Sequence, residues 1–364
     1  MLPYLVITAP IAFMAIVTTG YQRTTFMWGL LFVLFVLFIG LRHHVGMDWN
    51  NYLVMISRVN DGNFWEAIKV SEPGYAVLLW IAGKNGWGIY GAYLIGTLIF
   101  TAGLFRYANS TPSPWIALLV ATPYLVIVIA MSAARQAVAV GVLLWLAAEW
   151  YRASVFKRCL LILLASTFHN SAIFFVGFVF VDLRVSSWMR VVASAIISSV
   201  ALAVLSRSGQ LDIYANHYGT SQSVLTHSSG AFFHVLMIAG PAALCILLDK
   251  WSGGYLIPDS LHRNMALLAI ALLPLSLVYS TAASRLSIFL FPVSMWFFAT
   301  LPLLLQENSA GEPVSTGKFV KIASILLMII VEVFWLSTGN SAFAYLNYQN
   351  VLFMDPQELI LCCK

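Results

Sequence analysis

Charged side chains are scarce in this chain, since only 9% of its 364 residues are Asp, Glu, Lys or Arg. A soluble domain carries about 25% charged residues, so a soluble globular fold is excluded. With 61% hydrophobic residues and a mean hydropathy of +0.88, the composition is that of an integral membrane protein. The sequence also shows no internal repeat, no soluble domain and no long linker.

Sequence patterns for metals, nucleotides and disulfides are missing as well. The four cysteines, Cys159, Cys245, Cys362 and Cys363, have neither metal-ligand nor C-x-x-C spacing, which argues against a disulfide framework and against redox chemistry. There is no H-E-x-x-H, D-x-D or Walker motif. We therefore expect no cofactor and no metal. Lysine and arginine residues, which give the net charge of +5, lie mostly in short loops. The net charge therefore does not indicate nucleic acid as a partner.

Long apolar runs are what the chain has instead. They predict an all-α polytopic membrane protein with roughly 11–13 transmembrane or re-entrant helices, and they lack the alternation of a β-barrel. We expect one integral-membrane domain over residues 1–364, with loops at about 42–72 and 207–230 outside the cytoplasm. The run at residues 2–17 lacks a basic flank and a cleavage site, so we interpret it as a retained helix rather than a signal peptide.

Basic residues predict the topology, because cytoplasmic loops are rich in Lys and Arg. They form six clusters: Arg23; Arg106; Arg152, Lys157 and Arg158; Arg184 and Arg190; Lys250 and Arg263; Lys318 and Lys321. All six are cytoplasmic together only if residues 159–181 enter the membrane and return, turning at residues 167–171. Each arm would have about 10 residues, or roughly 15 Å of helix. In the alternative topology the short apolar stretch 75–82 crosses the membrane, which would place Arg135 inside and expose Arg152, Lys157 and Arg158 to the outside.

The predicted topology collects the remaining polar residues on one non-cytoplasmic face. The most polar segment follows the apolar run 27–39 and contains Arg42, His44, Asp48, Trp49 and Tyr52. Asp48 is our first candidate for a catalytic residue, and the other four are candidates for substrate binding. A helix-capping or solvated Asp is the alternative interpretation.

Two further polar points follow along the chain. Glu72 stands before Pro73-Gly74-Tyr75 as a second carboxylate near the membrane surface, or as a helix N-terminal acid favoured by the dipole. Tyr75 is a candidate for substrate binding. His169 lies at the predicted turn of the 159–181 hairpin and is a third catalytic candidate, with a hydrogen-bonded structural histidine as the alternative.

Two arginines lie within apolar surroundings. A guanidinium cannot lose its charge and must find an anion or water. Arg135, beside Gln136, and Arg285 are therefore candidates for binding an anionic ligand, since the planar guanidinium fork suits phosphate oxygens. Snorkelling to the interface is the alternative. Two such arginines on one side suggest a diphosphate.

These residues resemble a known family. The stretch Arg42…Val45-Gly46-Met47-Asp48-Trp49…Tyr52 is similar to the R…VGTDY…Y signature of the EpsG-type, Wzy-like polysaccharide polymerases, with Met47 and Trp49 in place of Thr and Tyr. The Glu72-Pro73-Gly74-Tyr75 patch, the Arg135-Gln136 pair and the His169-Asn170-Ser171-Ala172 turn follow in the family's order. The resemblance covers most of the chain and is weakest after about residue 305.

The resemblance implies a GT-C-like glycosyltransferase in the bacterial inner membrane, with its active site facing the periplasm. It would join undecaprenyl-diphosphate-linked oligosaccharide units into O-antigen, capsule or exopolysaccharide. Donor and acceptor are then both membrane-anchored lipids, and a chain-length-regulating membrane protein is a further expected partner. The arginines would hold the diphosphate, and Asp48, then Glu72, then His169 would be the general base. The alternatives are a flippase for lipid-linked oligosaccharides, an O-antigen ligase or a membrane acyltransferase.

Overall fold

The computed structural model describes residues 1–18, 24–182, 188, 230–254, 256–307 and 315–354. In these residues the chain forms sixteen α-helices, a few 3₁₀ and π-helical segments, and one antiparallel pair of two-residue strands. The prediction of an all-α polytopic membrane protein is confirmed. Of the predicted loop 207–230 only Gly230 is described, and Arg23, Arg184 and Arg190 lie outside the described residues.

The chain forms two compact units within the range predicted as one domain. The first contains Met1–Glu149, Leu164–Asn170 and Met295–Lys364, and the second contains Trp150–Leu163 and Ser171–Ser294. The first unit begins with the elements α1 (Leu2–Val17), α2 (Thr25–Gly40), β1 (Arg42–His43), α3 (Trp49–Asp61), α4 (Phe64–Ala67), α5 (Pro73–Lys84), α6 (Gly88–Ala108), α7 (Pro114–Ala121) and α8 (Ala134–Glu149).

The stretch predicted to enter and leave the membrane does double back. It forms α9 (Val155–Phe168), a 3₁₀ segment (Asn170–Phe175) and α10 (Val176–Asp182), with the break at His169. At its two ends, Arg158 Nη1 lies 2.9 Å from Asp182 Oδ2. The indole Nε1 of Trp150 donates to the same carboxylate oxygen at 2.9 Å. The ends of the stretch therefore meet, as the hairpin prediction requires.

The remaining elements are α11 (Ala231–Trp251), α12 (Ser260–Leu275), α13 (Ser280–Ser287), α14 (Pro292–Glu307), α15 (Ser315–Thr338), α16 (Phe343–Leu346) and β2 (Gln349–Asn350). By length and composition, three helices of the described residues can cross a membrane, namely α6, α11 and the part Thr316–Thr338 of α15. Ser280–Leu290 with Pro292–Leu305, bent by 49°, would be a fourth span. Other apolar helices are shorter, so the predicted number of 11–13 membrane segments stays a prediction.

Glycine contacts bring α6 and α8 into close packing. A Cβ atom at Gly103 would collide with the backbone of Gly141, and one at Gly141 would collide with the backbone of Phe100. Small residues let two helix backbones approach in this way. The packing fixes α8, and with it the arginine at the second position of that helix.

The helix before α8 is irregular. After α7 the chain continues as a π-helix, Thr122–Ala130, and α8 begins only at Ala134. π-Helical turns are rare and occur often at functional sites. The break coincides with the polar sequence Ser132-Ala133-Ala134-Arg135-Gln136, which separates two apolar runs. The break in the helix therefore lies next to Arg135 and Gln136, which the sequence predicts to bind a ligand.

The end of the described chain returns to the polar segment after α2. β2 pairs antiparallel with β1, with Arg42 opposite Asn350 and His43 opposite Gln349. The amide of Gly46 donates to the carbonyl of Ala344 at 3.0 Å. This closure joins residues about 300 positions apart in sequence, and the sequence did not predict it.

Candidate active site

The Arg42–Tyr52 segment is held tightly against the end of the π-helix. Gly46 has φ = +96°, a conformation that favours glycine. A Cβ atom there would collide with the carbonyl of Met131. The segment can take this path only with glycine at position 46, because both the backbone conformation and the close approach require it.

Arg42 is buried and binds backbone carbonyls and an aromatic ring of the protein itself. Its side chain donates from Nε to the carbonyl of Met131 at 2.9 Å and from Nη1 to that of Ile39 at 2.6 Å. The guanidinium carbon lies 3.9 Å from the ring centroid of Tyr93, and the residue is 1% exposed. In this structure Arg42 braces the segment, and its predicted contact with substrate stays a prediction.

The aromatic residues predicted to bind substrate form a buried cluster. Trp49 and Tyr52 are 4% and 2% exposed, and Tyr75 is 0% exposed. Tyr93 joins them, with its ring centroid 5.7 Å from that of Trp49 and 5.6 Å from that of Tyr52. Gln136 is also buried. The aromatic side chains pack on one another, so they support the site rather than face solvent.

Among the predicted site residues of this segment, His44 and Asp48 are the accessible ones. His44 is exposed and has φ = +56°, rare for a residue other than glycine. Asp48 is half-buried and precedes α3 without capping it through its side chain. Its Oδ1 accepts a long hydrogen bond of 3.4 Å from Asn51. Within the described part of the chain, no cation pairs with Asp48.

Glu72 joins two of the other predicted residues. Its Oε2 lies 2.6 Å from Nη1 of Arg135, and its Oε1 lies 3.3 Å from Nδ1 of His169. The hydroxyl of Ser71 donates to the same Oε2 at 3.0 Å. The side chains of Glu72, His169 and Arg135 are 8%, 16% and 31% exposed. We call Glu72, Arg135 and His169 the carboxylate triad.

Local structure explains why the carboxylate triad forms. Glu72 precedes Pro73, which begins α5, so its side chain stands at a helix start. A Cβ atom at Gly74 would collide with the side chain of Thr167, so glycine lets the start of α5 approach the end of α9. Two residues past Thr167 stands His169. The amide of Arg135, at the start of α8, donates to the hydroxyl of Tyr52 at 3.2 Å.

The electrostatics of the triad keep Glu72 ionised. Burial alone raises the pKa of a carboxyl group. The hydrogen bond with His169 and the charge of Arg135 outweigh burial and lower the pKa of Glu72 to about 2. A carboxylate of such low basicity is a poor proton acceptor, so within the triad Glu72 is suited to hold its partners rather than to take up a proton.

The second ring nitrogen of His169, Nε2, is the atom of this arrangement that is chemically able to accept a proton. Nε2 is buried and has no hydrogen-bond partner among the described residues. If Nδ1 carries the proton and donates it to Glu72, Nε2 has a lone pair. A carboxylate that orients a histidine in this way selects the tautomer in which the other nitrogen accepts protons. The triad can thus provide a base beside a guanidinium.

Arg285 lies in the second unit, on α13, and is exposed. The neighbouring Ser284 hydroxyl lies 3.3 Å from Nδ1 of His234 on α11. The predicted joint binding of a diphosphate by Arg135 and Arg285 stays a prediction. Sequence reasoning missed His234, although a histidine inside the apolar run 231–248 was a signal that could have found it. It also missed His43, whose Nδ1 contacts the hydroxyl of Tyr90.

Within the described residues, no group of three or more His, Cys, Asp or Glu side chains is placed to hold a metal ion.

The model of the EpsG family matches residues 25–350 of the chain. No curated protein and no solved structure matches it. The family match includes β2, so it extends well beyond residue 305, where the motif resemblance weakens.

Proposed function

The chain belongs to the EpsG family, and we propose that it is a membrane glycosyltransferase that polymerises polysaccharide from lipid-diphosphate-linked oligosaccharide units. Membership of the family supports a polysaccharide polymerase of the membrane. The lipid carrier, which we take to be undecaprenyl diphosphate, the bacterial inner membrane and the periplasmic orientation of the site belong to the proposal. So do the roles of the individual residues.

The observation that carries the proposal is the carboxylate triad. Polymerisation needs one group that binds the departing diphosphate and one that removes a proton from the attacking hydroxyl. Arg135 offers a partly exposed guanidinium, and His169 offers an unpaired ring nitrogen. Glu72 holds both. The two functions therefore lie on either side of one carboxylate.

In the proposed reaction, the bond between the anomeric carbon of the donor sugar and the diphosphate oxygen breaks. A new bond forms between that carbon and a hydroxyl oxygen of the acceptor. The hydroxyl proton passes to Nε2 of His169, and the diphosphate departs with both electrons of the broken bond. Arg135 stabilises the charge that develops on the leaving oxygen.

The proposal changes the predicted order of the base candidates. Asp48 ranked first and Glu72 second on sequence. The low pKa of Glu72 argues against it as a base, because catalytic groups work best with a pKa near the operating pH. His169 now ranks first, and Asp48 is the competing candidate because its carboxylate is accessible.

The test uses purified protein and synthetic diphosphate-lipid repeat units, with product chain length read on a gel. We expect a ladder of polymers from the wild-type protein. Removing a general base costs about 10²–10⁴-fold, so His169→Ala should lose the ladder, while Asp48→Asn should keep it. A ladder from His169→Ala together with none from Asp48→Asn would return the role of base to Asp48.

Further assays with the same lipid-linked units distinguish the polymerase from the competing functions. A flippase would move labelled lipid-linked units across a vesicle membrane without lengthening them. A ligase or an acyltransferase would produce a lipid A conjugate or an acylated sugar from the corresponding acceptors. Any of these outcomes without a ladder would refute the polymerase. A chain-length-regulating partner would change the length distribution of the ladder and stays a prediction.

A further inference from the structure

A cavity with two lysines in its lining lies in the first unit, among residues other than those of the carboxylate triad. Its volume is about 260 Å³, several times the roughly 30 Å³ that one water molecule occupies in the liquid. The end of α1, the start of α7, the middle of α14 and the start of α15 line it. Its polar lining residues include Thr18, Ser113, Lys318 and Lys321.

Two lysines give this cavity a positive charge. Lys321 donates from Nζ to the carbonyls of Thr18 at 2.6 Å and Ile16 at 3.1 Å. Lys318 is exposed and stands one turn earlier on α15. Neither lysine forms an ion pair within the described part of the chain, and no Asp or Glu is among the described residues that line the cavity. Another of the basic positions differs, because Arg106 pairs with Glu149 at 3.3 Å.

Lys318 stands at a place that is unfavourable for helix stability. A helix N-terminus carries partial positive charge, so lysine near the start of a helix is disfavoured. α15 begins at Ser315, and Lys318 is its fourth residue. α7 also begins at the cavity, directly after Ser113. Two helix starts and two ammonium groups therefore face one cavity, and an anion bound there would compensate their charge.

The cavity and the Arg42–Tyr52 segment lie at opposite ends of α1 and α15. The cavity lies at the end of α1, whereas Tyr4 at the start of α1 donates to the carbonyl of Tyr345, after α15. α15 has 24 residues, about 36 Å of helical rise, which matches the roughly 30 Å hydrocarbon core of a bilayer. With the catalytic face outside, the cavity faces the cytoplasmic leaflet.

We propose that this cavity binds the phosphate of an anionic phospholipid from that leaflet. Basic pockets between membrane helices bind anionic headgroups. The walls are mixed, since apolar side chains such as Ile16, Ile116 and Ile322 accompany the lysines. Next to Lys318, Phe319 is 73% exposed and offers apolar surface to an acyl chain. A soluble anion would use the lysines but not this apolar surface.

The test measures binding of phosphatidylglycerol to the full-length protein in a neutral detergent by native mass spectrometry, with the melting temperature as a second readout. Phosphatidylcholine and inorganic phosphate are the comparison ligands. One basic residue beside an anionic headgroup contributes about 1 kcal/mol, so Lys318→Gln should weaken phosphatidylglycerol binding roughly fivefold. Lys84→Gln, at an exposed lysine that ends α5, is the matched control and should bind as the wild type does.

Lys318 is the deciding variant because it makes no bond to the backbone, whereas Lys321→Gln also removes the bonds to the end of α1. Selective binding of phosphatidylglycerol that falls in Lys318→Gln but not in Lys84→Gln supports the site. Equal binding by both variants overturns it. Stabilisation by inorganic phosphate as large as that by phosphatidylglycerol overturns the lipid as ligand, and so does equal binding of phosphatidylcholine.

Discussion

The sharpest prediction concerns the charge of Glu72. Glu72→Gln keeps the shape of the side chain but replaces the carboxylate by a neutral amide. In the wild type the two carboxylate oxygens face different partners, Arg135 at 2.6 Å and His169 at 3.3 Å. An amide has only one acceptor oxygen, so at least one of these contacts is lost. The substitution therefore tests whether the carboxylate is what organises the site.

The magnitude follows from the pKa of Glu72. A fall from the ordinary value of 4.5 to about 2 corresponds to roughly 3 kcal/mol in favour of the ionised form in the folded protein. Arg135 is 31% exposed, so water can partly replace its lost partner. We therefore expect Glu72→Gln to lower the free energy of unfolding by about 2–3 kcal/mol, below the roughly 3–5 kcal/mol for breaking a fully buried pair.

The pH dependence of this loss has a definite sign. Since the pKa of Glu72 is lowered on folding, its stabilisation is fully present above about pH 4.5 and is lost as the pH falls toward 2. The difference in melting temperature between wild type and Glu72→Gln should be constant between neutral pH and about pH 5.5 and shrink below about pH 4.5. Thermal unfolding of the detergent-solubilised proteins measures both.

Glu66→Gln is the matched control. Glu66 is exposed and forms a capping box with Asn63 at the start of α4, which glutamine preserves. It should unfold and polymerise as the wild type does, whereas Glu72→Gln should lose about 10²–10⁴-fold in polymer formation because the base is no longer oriented. A Glu72→Gln protein with wild-type stability and a normal polymer ladder would refute the assignment of Glu72.

Three other predictions address neighbouring features. Arg135→Lys should form little polymer in the ladder assay, because Lys lacks the planar fork for phosphate oxygens; polymerisation at the wild-type rate would refute two-pronged recognition. Gly46→Ala should lower the melting temperature strongly, because its φ is +96° and the close approach leaves no space for Cβ, while Gly29→Ala, with no atom within 4 Å, should not. In intact cells an impermeant maleimide should label Asn63→Cys and spare Ser154→Cys, and the reverse pattern would refute the topology.

The hairpin of residues 155–182 was predictable because, in a membrane protein, the positions of basic loops constrain the path of the segments between them. Loop lysines and arginines favour the cytoplasm, so a count of clusters on either side of the stretch sufficed to predict its return. The structure adds the ion pair of Arg158 with Asp182. One of the basic residues that predicted the orientation thus also fastens the two ends of the hairpin.

The fate of Arg42 was not predictable in the same way. On sequence Arg42 and Arg135 look alike, since each is an arginine beside an apolar run. What separates them is the carbonyl of Met131, which binds Arg42 across 89 sequence positions. The π-helix that ends just before Met131 has no local sequence signature that separates it from an α-helix. The pairing of β2 with β1 was equally unpredictable, because two-residue strands carry no periodicity.

The carboxylate triad also changes how the three candidates for the general base relate to one another. On sequence Asp48, Glu72 and His169 compete for one role, whereas in the structure Glu72 and His169 are partners. In the proposed reaction His169 starts neutral, so the charges of Glu72 and Arg135 cancel and the triad would hold a resting diphosphate only moderately. If His169 takes the proton of the acceptor hydroxyl as proposed, the triad gains a positive charge when the leaving diphosphate gains a negative one. The attraction therefore grows toward the transition state, and interactions that strengthen there are the ones that accelerate a reaction.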